Sequence, residues 1–418
     1  MGFFKIFLIS IFSDMGAIQL LFPFLAEIYF QKIVTLVPLI GLISDKYLID
    51  NLRNPLSSRQ GKALIFLVLW MIMSVPLSIY PGWSFAFLTQ NFWKILVMVL
   101  LVLAYGSSKE SLNKIIWAYI LASGLLSILT VMASGASRTS ITGGAYDPND
   151  TALQFLLALP FVVWKYRSSK GFSKVLTAFI SLILIIGIVD TQSRGGFLGL
   201  LAVAALISLQ IKRIEKGGLP KVLVPLLAIG VIIYYFGGTT YLDRVSTILH
   251  PSNDYNVTSQ TGRIDIWKRG IDMMLNNPLL GVGVAGFVSA DGRLYAGAGA
   301  RWNAAHNSFV QIGAELGFPG LIAFCFLIWS SIKKVREILV ANREANLDNF
   351  KIITSYSIIG SWAGFIVSGF FLSAAYTSYL FFLIALSMAF ISLEKPNEQQ
   401  VNSLTYGNKQ GMSNIWQY

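Results

Sequence analysis

The sequence predicts an all-α polytopic membrane protein, and three observations support this prediction. Hydrophobic residues make up 55% of the 418 residues, and charged residues make up only 12%, about half the share in soluble globular proteins. The mean hydropathy is +0.64. Apolar stretches long enough to cross a bilayer recur from end to end. This composition excludes a cytosolic enzyme, a disordered tail and a DNA-binding domain.

The apolar runs set the expected number of transmembrane helices. A hydrocarbon core of roughly 30 Å needs about 20 helical residues, so the runs predict about twelve spans. The long run Ile352–Leu393 is expected to hold two helices with a turn near Ser373–Ala375. In the tenth span, Gly317, Pro319 and Gly320 predict a break or kink that could shape a cavity.

Basic residues indicate the orientation, because they remain on the cytoplasmic side of short loops. With a cytoplasmic N-terminus, the Lys- and Arg-rich connections fall on the cytoplasmic side, so the net charge of +12 is a topology signal rather than a sign of nucleic-acid binding. The predicted regions are nine helices in 1–237, an outer segment at 238–305, three helices in 306–393 and a cytoplasmic tail at 394–418. Within the outer segment, Thr261–Leu275 is expected to form a short helix.

Some chemistry is excluded by what the sequence lacks. The single cysteine, Cys325, allows neither an internal disulfide nor a cysteine metal cluster. His, Cys and carboxylate residues show no metal-ligand spacing, and the outer segment has no Asp-x-Asp pair. No Gly-rich nucleotide loop is present. We therefore expect neither a metal nor a cofactor.

Four polar clusters lie on the predicted outer face, and two of them stand at the start of a helix. The first is Asp147-Pro148-Asn149-Asp150, a strong helix-start signal; alternatively, Asp147 or Asp150 orients a basic residue or an incoming sugar. The second is Ser193-Arg194-Gly195-Gly196. Arg194 could simply extend to lipid head groups, but a guanidinium beside glycines at a helix start also suits a diphosphate.

Of the other two clusters, one lies inside the outer segment and the other at its end. Thr261-Gly262-Arg263 begins the expected short helix, and its charges could be solvated surface. Ala305-His306-Asn307-Ser308 lies where the chain re-enters the membrane, with Glu315 further along. A histidine there could be structural. A helix start and nearby arginines would keep its imidazole neutral and competent as a base.

Taken in order, these motifs resemble the O-antigen ligase and polymerase superfamily. The quoted set is Asp-Pro-Asn-Asp, Ser-Arg-Gly-Gly, Thr-Gly-Arg-x-x-x-Trp, Asn-Pro-Leu-Leu-Gly-Val-Gly, His-Asn-Ser-Phe and Glu-Leu-Gly-Phe-Pro-Gly. The resemblance implies a GT-C-like glycosyltransferase of the bacterial cytoplasmic membrane, with both termini cytoplasmic and a periplasmic active site. It implies a glycan on undecaprenyl diphosphate as donor, and the lipid A core or a second lipid-linked glycan as acceptor.

The resemblance also implies roles for individual residues. The family's two arginines and histidine correspond to Arg194, Arg263 and His306, which would act in a metal-independent, inverting transfer. Ser193, Gly195, Asn307, Asp147, Asp150 and Glu315 are the candidate substrate-binding or supporting residues. The resemblance favours a ligase slightly over a polymerase. A lipid-linked sugar flippase or other transporter is the rival of another class, and a noncatalytic scaffold of an export complex is a third, less supported hypothesis.

Overall fold

The structure, a computed structural model, describes residues 2–133, 147–214, 227, 229–238, 241, 245–246, 262–295, 302–344 and 348–394. Within these residues every regular element is helical. The helices are α1 Gly2–Met15, α2 Phe24–Glu27, α3 Phe30–Ser44, α4 Lys46–Ser57, α5 Arg59–Ser74, α6 Pro81–Ala86, α7 Trp93–Tyr105, α8 Lys109–Met132, α9 Pro148–Ser168, α10 Gly171–Asp190, α11 Arg194–Ile214, α12 Ile229–Gly238, α13 Arg263–Asn276, α14 Phe287–Leu294, α15 Ser308–Glu344, α16 Asn349–Gly369 and α17 Ser378–Ser392.

Two helices form the centre of the bundle because they are apolar on every side. In α9 every residue from Thr151 to Val162 is buried, and in α17 every residue from Tyr379 to Phe390 is buried. Helices α8, α10, α11 and α16 surround α9. By contrast, α10 exposes large apolar residues such as Phe172 and Phe179, as expected of a helix that faces lipid.

The number of helices able to cross a membrane is smaller than predicted. Six described helical stretches are long and apolar enough, or seven if α4 and α5, which meet at 90°, form one span. Helix α1 has 14 residues and reaches only about 21 Å, less than the roughly 30 Å of a hydrocarbon core. Helix α3 has 15 residues and is similarly short. The structure thus supports a helical membrane protein but not the count of about twelve.

The predicted turn between the last two helices is confirmed, and so is the predicted kink in α15. Helices α16 and α17 are separated by residues 370–377. Helix α15 breaks at Gly317, where φ is 66° and ψ is −168°, a backbone conformation that is essentially restricted to glycine. A Cβ atom there would lie 2.4 Å from the Pro278 carbonyl oxygen, so the neighbouring chain also requires glycine.

The break in α15 is occupied by the backbone of residues 277–283. Val282 donates its N–H to the Ala314 oxygen at 2.8 Å, and Gly283 donates to the Glu315 oxygen at 3.0 Å. Phe318 donates to the Pro278 oxygen at 2.9 Å. These bonds satisfy backbone groups that a continuous helix would pair internally.

A second, smaller core lies beside the bundle in what we call the loop lobe, residues 262–295 and 302–307. The lobe contains α13 and α14, so the predicted outer segment does hold short helices. It packs against the first turns of α15. Its buried residues are Ile266, Met273, Val282, Phe287, Ala290 and Ala305, together with Ala314 of α15.

Candidate active site

Three of the predicted polar site residues cap helices. The Ser193 hydroxyl accepts the Gly196 N–H at 3.0 Å at the start of α11. Asp147 accepts the Asn149 N–H at 2.7 Å at the start of α9. Asn307 accepts the N–H groups of residues 309 and 310 at 2.9 and 3.1 Å. Capping explains why these residue types occur here, and a substrate-binding role for any of them stays a prediction.

The turn 370–377 connects two of the clusters. A Cβ atom on Gly195 would lie 3.2 Å from the Phe371 Cβ, so the start of α11 lies directly against this turn. The His306 N–H donates to the Ser373 hydroxyl at 2.7 Å. The Ser308 hydroxyl donates to the Leu372 oxygen at 2.7 Å. The chain segments that carry Arg194 and His306 therefore contact the same turn.

The first cluster, Asp147-Pro148-Asn149-Asp150, lies at the same end of the bundle as the start of α11. A Cβ atom on Gly196 would be 2.9 Å from the Ala152 Cβ, so the first turns of α9 and α11 are in contact. Asp150, in the first turn of α9, lies beside Tyr379 of α17. Helix starts that are far apart in the sequence thus meet at one end of the bundle.

His306 has an unusual backbone and a strongly polar environment. Its φ is 48°, a left-handed conformation that is uncommon outside glycine. The side chain is half-buried. Burial and the nearby positive charge of Arg263 lower the pKa of His306 below its ordinary value, while the negative charge of Asp147 raises it. Lowering dominates, so the imidazole is neutral near pH 7.

Arg263 is the first residue of α13, and Gly262 is the capping residue before it. One turn later the Trp267 indole donates to the Ala305 oxygen at 3.0 Å, and its ring lies 6.4 Å from the Phe371 ring. These contacts hold the start of α13 against the segment that ends in His306. The predicted cap, Thr261, lies outside the described residues.

Arg194 is the first residue of α11 and is half-buried. Arg194 and Arg263 thus both combine a permanent positive charge with the amino end of a helix, where the helix dipole also favours anions. Such pairs of guanidinium and helix start are suited to phosphate oxygens.

Glu315 has two backbone partners that the sequence did not suggest. Its carboxylate accepts the N–H groups of Ala285 at 2.9 Å and Phe287 at 3.1 Å. The side chain is buried, and Tyr376 of the 370–377 turn lies beside it. Glu315 thereby fixes the start of α14 to the kinked helix, and its predicted substrate-binding role stays a prediction.

Several residues that organise this region were missed by the sequence reasoning. Ser373 supports the His306 backbone, and Asp291 pairs with Arg269 inside the loop lobe. Serine in a turn and aspartate in a short loop are common, so nothing in the sequence marks them. Within the described ranges no three His, Cys, Asp or Glu side chains gather as metal ligands would.

The long apolar helices define a class: a helical membrane protein in which several helices begin close together at one end of the bundle. Residues 179–325 match the family model described as O-antigen ligase, Wzy_C. The resemblance to the O-antigen ligase and polymerase superfamily is thereby confirmed over this region, which contains Arg194, Arg263, His306 and Glu315 but not Asp147 or Asp150. No curated protein matches the chain. The family supports an enzyme of the ligase or polymerase type and does not separate the two.

Proposed function

We propose that the protein transfers a glycan from undecaprenyl diphosphate to an acceptor sugar at the periplasmic face of the bacterial cytoplasmic membrane. One observation carries the proposal. His306 lies within electrostatic reach of Arg263, and its backbone is bonded to the turn that contacts the start of α11 beside Arg194. These contacts support a site in which a base and two anion-binding groups from distant parts of the sequence act together.

The two arginines would serve the leaving group. As the bond between the anomeric carbon and the phosphate oxygen breaks, negative charge builds up on the lipid diphosphate. Fixed cations directed at that position stabilise the transition state more than the ground state. Guanidinium groups stay charged at any physiological pH and fit phosphate oxygens in a bidentate manner. The transfer would therefore proceed without a metal.

His306 would serve the attacking group. Its neutral imidazole accepts the proton of the acceptor hydroxyl while that oxygen bonds to the anomeric carbon. The bonding pair of the broken bond leaves with the lipid diphosphate. Direct attack from the face opposite the leaving group gives inversion at the anomeric carbon.

We favour a ligase, with the lipid A core as acceptor, over a polymerase that extends lipid-linked repeat units. The preference follows the motif set, which resembles ligases. The predicted orientation, the four predicted regions and the twelve spans belong to the same proposal, and additional spans would have to come from helices other than the six counted above, such as the 21-residue α9.

A flippase or other transporter remains the alternative of another class. Transporters place ionisable groups near the middle of the membrane. Here Arg194, Arg263 and His306 all lie at helix starts or next to one. This arrangement favours chemistry at a surface over passage through the bundle.

Deleting the gene and separating surface polysaccharide on a gel tests the proposal. Core lipid without chains, with polymerised lipid-linked glycan accumulating, identifies a ligase. Core that bears a single repeat identifies a polymerase. If no lipid-linked glycan reaches the outer face, the protein is a flippase and the proposed enzyme is wrong.

A further inference from the structure

An open cavity lies between the chain segment 79–83 and helix α14. Its volume is about 630 Å³, within the range of small-molecule sites. None of the candidate active-site residues lines it. The lining includes Ile79, Tyr80, Trp83, Ser289, Arg293 and Trp302.

Three large aromatic side chains surround this cavity and remain exposed. The exposed fractions are 57% for Tyr80, 57% for Trp83 and 60% for Trp302. Rings of this size contribute strongly to a protein core when they are buried. Here three of them, two from the segment 79–83 and one from residue 302, instead surround one opening.

The walls of the cavity are fixed by hydrogen bonds. Ile79 donates its N–H to the Val282 oxygen at 2.9 Å, and the Ser84 hydroxyl donates to the Val284 oxygen at 2.7 Å. The Arg293 guanidinium donates to the Ile79 oxygen at 3.3 Å. Because both walls are tied together, the cavity is preformed, and a ligand would lose little free energy in ordering it.

Trp302 is held against α14 by close packing. A Cβ atom on Gly292 would lie 2.4 Å from the Trp302 ring, so glycine is needed for the indole to take this place. The backbone of the next residue is also held in place, because Asn303 donates its N–H to the Asp291 carboxylate at 3.1 Å. The ring is therefore a firm platform rather than a loose surface side chain.

The chemistry of the lining indicates a sugar. The apolar C–H face of a pyranose packs on an aromatic ring, and its hydroxyl groups need donors and acceptors at the edge. Tyr80, Ser289 and Arg293 supply such groups beside the rings. A lipid tail would gain nothing from the Arg293 guanidinium, whose charge is costly to place among acyl chains.

The position of Trp302 indicates which of the two substrates supplies this sugar. His306 follows only four residues later, so their Cα atoms are at most about 14 Å apart. A sugar bound beside Trp302 thus lies within reach of His306, the residue proposed to take the proton from the acceptor hydroxyl. We propose that the aromatic cavity binds the acceptor oligosaccharide, a site distinct from the diphosphate end of the donor. This assignment rests on the proposed function.

Binding to the full-length protein in lipid nanodiscs tests the proposal. The probe is core oligosaccharide released by mild acid from the lipopolysaccharide of the gene-deletion strain, and the readout is calorimetric affinity. Trp302→Ala and Tyr80→Ala are each expected to weaken binding roughly tenfold, whereas Trp302→Phe, which keeps a ring, should retain most of it. Trp329→Ala removes an equally exposed indole elsewhere and should change nothing.

Kinetics separate this proposal from the proposed function. Trp302→Ala should raise the KM for the acceptor while leaving kcat and the KM for the donor unchanged. His306→Ala should lose transfer yet bind the core oligosaccharide normally. If His306→Ala transfers normally, the proposed role of His306 is wrong; if the wild type transfers no glycan, the proposed function fails. In both cases the binding result stands by itself.

Three outcomes overturn the assignment of the cavity. One is unchanged affinity in both Trp302→Ala and Tyr80→Ala. Another is a raised KM for the donor instead of the acceptor. The third is quenching of the Trp302 fluorescence by brominated lipid, measured as the difference between wild type and Trp302→Phe, which would make this ring a membrane anchor.

Discussion

The Arg269 guanidinium donates from Nε to Asp291 Oδ1 at 2.6 Å, and the Asp291 side chain is fully shielded from solvent. The other carboxylate oxygen of Asp291 accepts both the N–H and the side-chain amide of Asn303, at 3.1 and 3.2 Å. One buried carboxylate thus joins α13, which begins with Arg263, to α14 and to the segment that leads to His306. This pair fixes the relative positions of two proposed catalytic groups.

Replacing Asp291 should therefore loosen the loop lobe. Asp291→Ala removes the carboxylate that pairs with the buried Arg269 guanidinium, and breaking such a pair costs about 3 kcal/mol or more. Thermal unfolding of the full-length protein in detergent and proteolysis within 262–307 measure the change. Asp265→Ala is the matched control, because Asp265 pairs with Lys268 at 2.9 Å on the surface, where such a pair contributes about 1 kcal/mol or less. Equal effects of the two variants would contradict the expected role.

The pKa of His306 should shift in opposite directions in two variants. Arg263→Gln removes a positive charge that lowers the pKa, so the pKa should rise. Asp147→Asn removes a negative charge that raises it, so the pKa should fall. NMR of labelled histidine measures both, with His250→Gln to assign the signals, since the chain has only two histidines.

The pH dependence of the transfer rate should shift in the same direction as the pKa of His306. A general base must be neutral, so the rate falls as the pH drops through the pKa of His306. In Asp147→Asn the acidic limb of the pH–rate profile should move to lower pH. A pKa that does not change in either variant would show that these charges lie too far from His306 for the proposed site.

Gly317→Ala should destabilise the protein by about 3 kcal/mol or more, because the backbone conformation is closed to alanine and the new methyl group would meet two carbonyl oxygens. The amount of folded protein in the membrane and its thermal unfolding are the readouts. Gly230→Ala is the control, since no atom lies within 4 Å of a Cβ there and alanine favours the helix. A wild-type Tm in Gly317→Ala would exclude the described break.

Arg194→Ala should lower glycan transfer by about 10²- to 10³-fold, the loss seen when one fixed donor to a developing anion is removed. Arg194→Lys keeps the charge without the planar fork and should retain part of the activity. Membrane levels should be unchanged in both. Arg336→Ala, which removes an exposed arginine of α15, serves as the control. Full transfer by Arg194→Ala would remove the proposed role.

Helix starts and breaks were the most predictable features. Asp147 before Pro148 predicts the start of α9, and the structure has the cap there, with Pro148 as the first helical residue. Gly317 and Pro319 predict the kink in α15. Even the short helix α13 was placed within two residues, since Arg263–Asn276 replaces the expected Thr261–Leu275. These features are local, because a cap or a strained glycine acts on its own turn.

The span count and the supporting contacts were not predictable in the same way. A charge-free run shows that a segment avoids water, but α9 satisfies this by burial among other helices rather than by facing lipid. The bonds from Glu315 to the start of α14 and from Ser373 to His306 join residues far apart in sequence. Such pairs depend on how the helices assemble, and no spacing in a single sequence encodes them.

The turn that holds residues 306–308 belongs to the stretch just before α17. During synthesis, the His306 backbone therefore lacks its bond to Ser373 until the chain has been made almost as far as α17. Under the proposed function, a truncated chain that stops before Leu372 is expected to be inert, although it carries both arginines and the histidine.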